Sequence, residues 1–130
     1  MMESIRTVFT PSNVSFMMEG LKLALLISVG VVILSIIFGT VLGLLRNYDK
    51  KFFGKLAGAY IELFRNTPLL LWMLSCSFLI PGSTITLKGS FALFLYTSAV
   101  VAEIVRGGLN SITKGQFEAA HSQGFSFMQS

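Results

Sequence analysis

Cysteine occurs once in the 130 residues, histidine once and proline three times, and charged side chains make up only 12% of the chain. A single cysteine, Cys76, excludes a disulfide framework and any multi-cysteine metal site within the chain. The lone His121 has no cysteine nearby, so no metal centre is expected and a surface contact is the plainer reading. There is no G-x-x-x-x-G-K loop to cradle phosphates, and nothing in the sequence points to catalysis or to a bound cofactor. The basic residues, although they bring the formal charge to +4, are scattered and never form the dense patch that nucleic-acid binding requires.

What fills the chain instead is apolar surface. Hydrophobic residues make up 53% and the mean hydropathy is +0.74, more than a soluble domain of this length needs for its core. A membrane protein is expected. The first apolar run begins about twenty residues in, is too long for a signal-peptide core and lacks a small-x-small cleavage site.

Between Leu23 and Leu45 no residue is charged, and at about 1.5 Å per residue that run crosses a hydrocarbon core of about 30 Å. It predicts a first span over about 21–45, preceded by an external segment, 1–19. Gly39 and Gly43 form a GxxxG pair extended by Ser35, either a stripe for close helix approach or the ordinary glycine content of a membrane helix. Arg46, Lys50, Lys51 and Lys55 crowd the end of this run, which by the positive-inside rule makes that loop cytoplasmic and the N-terminus external.

A second span is expected over about 56–80. It contains "ELFRNTPLLLW", where Pro68 removes a backbone donor and biases Thr67 away from helical geometry, so a kink or short break is predicted there, either a hinge or a static bend. Glu62 and Arg65 can pair at i,i+3, and Glu103 and Arg106 repeat that spacing. Snorkelling structural charges are favoured over substrate contacts, and a cross-helix network joining the two sets is a working hypothesis. Trp72 and Tyr96 read as helix packing or interfacial anchors, and Cys76 as a small buried hydrophobe. "PGSTITLKGS" reads as an external loop. The third run, about 89–106, is short for a crossing, and Gly107 and Gly108 are expected to end it. Beyond it, about 115–124 reads as a short polar helix with Gly124 at a left-handed cap.

That last helix carries a resemblance. "EAAHSQG" resembles the E-A-A-x3-G motif of the membrane subunits of ABC importers, and "EIVRGGLNSITKGQFEAAHSQGFS" and "YIELFRNTPLLLWM" resemble segments of the polar amino-acid uptake branch. The resemblance runs from about Met18 onward in order. Departures are Asn66 where glycine is usual, Thr113 where proline is common, and a chain that stops at Ser130 before the motif's later Leu-Pro and about two further spans.

What the resemblance implies is an all-α polytopic membrane protein with about three transmembrane helices and a short cytoplasmic coupling helix, the front part of a five-span type I importer permease, truncated at its C-terminus. Glu118, Ala119, Ala120 and Gly124, with Phe117 beside them, would dock on a separate ABC ATPase subunit. Glu62, Arg65, Thr67, Pro68, Glu103 and Arg106 would serve the substrate path or ion pairing. The implied partners are that ATPase, an extracytoplasmic amino-acid-binding protein, a second permease chain, identical or related, and membrane lipid. The competing reading is a truncated, non-transporting membrane protein, inert or competing for the ATPase.

Overall fold

The computed structural model describes residues 10–49 and 51–126. Five helices and no strand occur among them: α1 Pro11–Tyr48, α2 Phe52–Asn66, α3 Leu69–Leu79, α4 Ile85–Ser111 and α5 Lys114–Ser122.

α1 starts well before residue 21. Pro11 at the first helical position has the right φ already set, and the Thr10 hydroxyl accepts from the Asn13 amide at 3.4 Å as an N-cap. The segment expected as external, 1–19, is therefore helical from Pro11 onward; residues 1–9 lie outside the described part. α4 corrects a second expectation. It runs through Gly107 and Gly108 to Ser111, because a glycine ends a helix only where the backbone turns left-handed. Among the described residues only Gly82 and Gly124 have positive φ. The third run is thus a 27-residue helix, long enough with α1 to cross a bilayer, rather than a short one.

The second run is broken where Pro68 sits. Thr67 is extended (φ −107°, ψ 130°) and Pro68 cannot donate, which divides the run into α2 and α3. α3 alone, 11 residues and about 16 Å, reaches half-way through a hydrocarbon core. The apolar α3 and the amphipathic α2 share the stretch read from sequence as one kinked span.

α1 and α4 form the principal seam. They meet through small residues at a constant offset along the two chains. The Ser35 hydroxyl donates to the Phe94 carbonyl at 3.4 Å, a Cβ on Gly39 would stand 2.6 Å from the Ser98 carbonyl, and one on Gly43 would stand 2.6 Å from the Ala102 carbonyl. Ser35, Gly39 and Gly43 are the buried residues of α1, and Ala92, Ser98, Ala99 and Ala102 those of α4. The glycine stripe is therefore a packing surface, as close membrane-helix crossings require.

α2 joins through Tyr60. Its hydroxyl lies 2.9 Å from the Leu95 carbonyl, to which it donates, and 2.8 Å from the Ser98 hydroxyl, while its ring meets Phe38 edge-on. Phe64 continues this layer and stacks on Trp72 of α3 at 4.1 Å between centroids, so Trp72 is a packing residue. The Lys88 ammonium near the start of α4 donates to the Ser77 carbonyl of α3 at 3.0 Å.

A side chain at Gly39 must push a backbone carbonyl aside, whereas one at Gly30 meets nothing within 4 Å. Gly39→Val is expected to destabilise the helix assembly by about 1–3 kcal/mol or more, and Gly30→Val to leave it within about 0.5 kcal/mol. Thermal or denaturant unfolding in detergent micelles checks both; equal effects would show that the seam is not the constraint.

Candidate functional site

Two features stand out: a cluster of charges at the end of the α1–α4 seam, and α5 beyond it.

The cluster begins with a tight return of the chain. α1 ends at Tyr48, the Asp49 side chain accepts from the Lys51 amide at 2.7 Å, and the Asp49 carbonyl lies where a Cβ on Gly54 would be. Only glycine fits there. This return lays the start of α2 against the last turn of α1 and brings Arg46 to within 3.6 Å of the position of a Cβ on Gly58. From there the Arg46 guanidinium reaches two helices at once. One nitrogen donates to Glu62 of α2 at 2.7 Å, the other to Glu103 of α4 at 3.2 Å.

Glu103 is the hub. Besides Arg46 it holds Arg106, whose Nε lies 3.2 Å from both carboxylate oxygens and whose terminal nitrogen makes a closer contact still, and it faces Arg65 of α2 at 3.5 Å. Its side chain is 20% exposed and that of Arg46 is 22% exposed. A carboxylate so placed needs partners, since an unpaired buried charge costs several kcal/mol. Forked guanidiniums are suited to this because each presents two parallel N–H groups. Three guanidiniums against two carboxylates leave the cluster one positive charge in excess.

The four charged residues singled out from sequence are thus brought together, but the pairing differs. Among the described residues Glu62 and Arg65 do not pair with each other; each reaches another helix, and only Glu103–Arg106 uses the i,i+3 spacing. Thr67 and Pro68 form the break after Arg65 and take no part in the ion pairs. Arg46, which bridges the two carboxylates, was read only as one of the positive charges flanking the first run. Its signal was its type and place: an arginine, not a lysine, directly after the apolar segment.

α4 passes into α5 through two extended residues, Ile112 and Thr113. No residue of α5 is buried, and Phe117 and Phe125 remain two-fifths exposed or more. Its C-terminus is closed in a defined way. The Phe125 amide donates to the Ala120 carbonyl at 3.1 Å and the Gly124 amide to the His121 carbonyl at 3.0 Å, with Gly124 at φ +83°. These two bonds with a left-handed residue between them are a Schellman closure. The spacing from Ala120 to Gly124 therefore has a physical meaning, since the glycine must follow four residues behind the carbonyl that closes the helix. Glu118 and Ala119 are exposed and Ala120 half-buried. No set of three or more histidine, cysteine, aspartate or glutamate side chains able to hold a metal occurs among the described residues.

Gly124→Ala is expected to cost about 1 kcal/mol of local stability, because alanine resists positive φ, while Gly115→Ala, in open space at ordinary φ, is expected to be neutral or slightly stabilising. Amide hydrogen exchange at Gln123–Phe125 reads the difference.

The family described as "Binding-protein-dependent transport system inner membrane component" matches residues 35–130. The chain is 39% identical over 121 residues to a probable glutamine ABC transporter permease protein of Bacillus subtilis strain 168, covering 90% of this chain and 56% of that protein. It is 35% identical over 125 residues to a second probable glutamine permease of the same organism, covering 93% and 57%. It is 36% identical over 133 residues to a glutamate transport system permease protein of Corynebacterium glutamicum, covering 90% and 57%. The chain therefore spans somewhat over half the length of these relatives. No solved structure matches it. The chain belongs to the family of binding-protein-dependent transport system inner membrane components.

Proposed function

We propose that this family member is the permease subunit of an ABC importer that carries polar amino acids across the cytoplasmic membrane. A separate ATPase subunit supplies energy, an extracytoplasmic binding protein delivers cargo, and a second permease chain, identical or related, completes the path. The relatives named for glutamine and glutamate transport support this cargo class.

The observation that carries the reading is α5. A nine-residue helix that buries none of its residues, on the end of a long membrane helix, has surface to give to a partner. Ala119 and Ala120 let another backbone come close, Glu118 and Gln123 supply polar contacts at the rim, and Phe117 offers an apolar anchor. The Schellman closure at Gly124 keeps this short helix from fraying and turns the chain sharply away from the docked face. In this reading Glu118, Ala119, Ala120, Gly124 and Phe117 enter a cleft of the ATPase. The arginine and lysines after the first run set that end of the molecule in the cytoplasm, and the start of α1 outside. Glu62, Arg65, Glu103 and Arg106 serve as ion pairs at the cytoplasmic side rather than as a substrate path, since each is engaged with an opposite charge.

Glu118→Lys and Ala120→Leu are each expected to cut co-purification of the ATPase subunit at least tenfold while membrane insertion of the permease is unchanged. Retained association in both variants would refute the docking role of α5.

A further inference from the structure

We propose that Glu103 is the fulcrum through which movement of α5 reaches the membrane helices, with Arg46 as its main grip. This deepens the reading of α5 as the ATPase-contacting helix and rests on it. Both residues are positioning residues of the coupling step; neither touches cargo.

The argument is one of attachment. Beyond Ala102 no residue of α4 or α5 is fully buried, and Val105, packed against Gly43, is the last seam contact, so the segment from about Gly107 to Ser122 projects from the packed seam as an arm. Gly107 and Gly108 have open space around them. Within the arm α4 stays one continuous helix for eight residues past Glu103, about 12 Å, before the two-residue joint at Ile112 and Thr113. Force applied at α5 therefore arrives along a continuous helix, past the Val105–Gly43 contact, at the first place where that helix is tied to others by charge. That place is Glu103, bonded to Arg46 on α1 and facing Arg65 on α2, with Arg46 continuing the tie to Glu62.

Stability alone does not account for the cluster. Apolar side chains of similar size usually hold helices together at least as well as partly buried ion pairs do, and the Gly43–Ala102 contact already closes the seam just above. What the ion pairs add is direction. A carboxylate receiving three guanidiniums from three positions adds resistance to rotation and ties in α2, whereas the glycine–alanine seam sets only the register of α1 against α4. α1, α2 and α4 then move as one body when α5 is displaced.

The test uses the intact importer, with its ATPase and binding protein, in proteoliposomes. Glu103→Gln keeps the shape and removes the charge. It is expected to leave co-purification of the ATPase intact and ATP hydrolysis within about twofold, while uptake per ATP hydrolysed falls at least tenfold. Glu103→Asp, which keeps the charge, is expected to retain more than a third of the wild-type ratio. Arg46→Lys keeps a charge but gives up the forked grip on Glu62 and Glu103 together, and is expected to lower the same ratio at least threefold. It serves as the readout if Glu103→Gln fails to assemble. An unchanged ratio in the assembled variants, or parallel loss of hydrolysis and uptake, overturns the fulcrum. Failure of the wild-type chain to bind the ATPase would overturn instead the reading of α5 on which the fulcrum rests.

Discussion

Two helices in a bilayer gain nothing from leaving lipid for one another unless they fit more closely than lipid fits either. α1 and α4 meet that condition with Gly39 and Gly43, whose missing side chains admit the Ser98 and Ala102 carbonyls. The rest of the structure follows from this seam. It fixes the two helices in register, which places Ser98 for the Tyr60 hydroxyl, and so decides where α2 can lie. It also sets the height at which Arg46, just past the seam on α1, meets Glu103 on α4. A slip of one turn, about 5.4 Å, would part that pair and leave partly buried charges without partners. Packing sets the register, and electrostatics then penalises any other.

The sequence was legible where a local pattern has a local consequence. The break at Thr67–Pro68 follows from the chemistry of proline and was placed to the residue. Gly124 was read as a left-handed cap because it directly follows the short polar helix, and its φ of +83° agrees. The glycine stripe of α1 could be seen, but its partner could not. A spacing of four states which face is small, not which helix meets it, and the helix it meets lies 59 residues further on.

The misread features have different causes. Glu62 and Arg65 suited each other at i,i+3, yet each found a better partner across helices, because Arg46, 16 residues before Glu62, comes within reach only after the chain has folded back at Gly54. Gly107 and Gly108 looked like a stop. Glycine permits a left-handed turn without requiring one, and with the helical bonds continuing to Ser111 nothing at that point calls for it. α1 was expected to start where the apolar run starts, whereas the Thr10 cap and Pro11 set the actual beginning. For the charge pairs the tertiary surroundings made the choice, whereas the start of α1 and the passage through Gly107 and Gly108 were set locally, by a cap and by continuing helical bonds.

The charge cluster and α5 make most sense when considered together. A helix that merely lay on a membrane would need a continuous apolar face, and α5 lacks one, with Glu118, His121 and Gln123 among its nine residues and cap. A cluster that merely neutralised charges would not leave one guanidinium in excess or engage three helices. Placed at the two ends of one arm, a continuous helix and a two-residue joint, they have complementary mechanical roles. The exposed end can be gripped without uncovering a buried residue, because it has none, and the clamped end cannot yield without exposing charge. A displacement imposed at the first is therefore cheaper to absorb by tilting α1, α2 and α4 together than by bending α4 between them, where unbroken backbone hydrogen bonds resist bending.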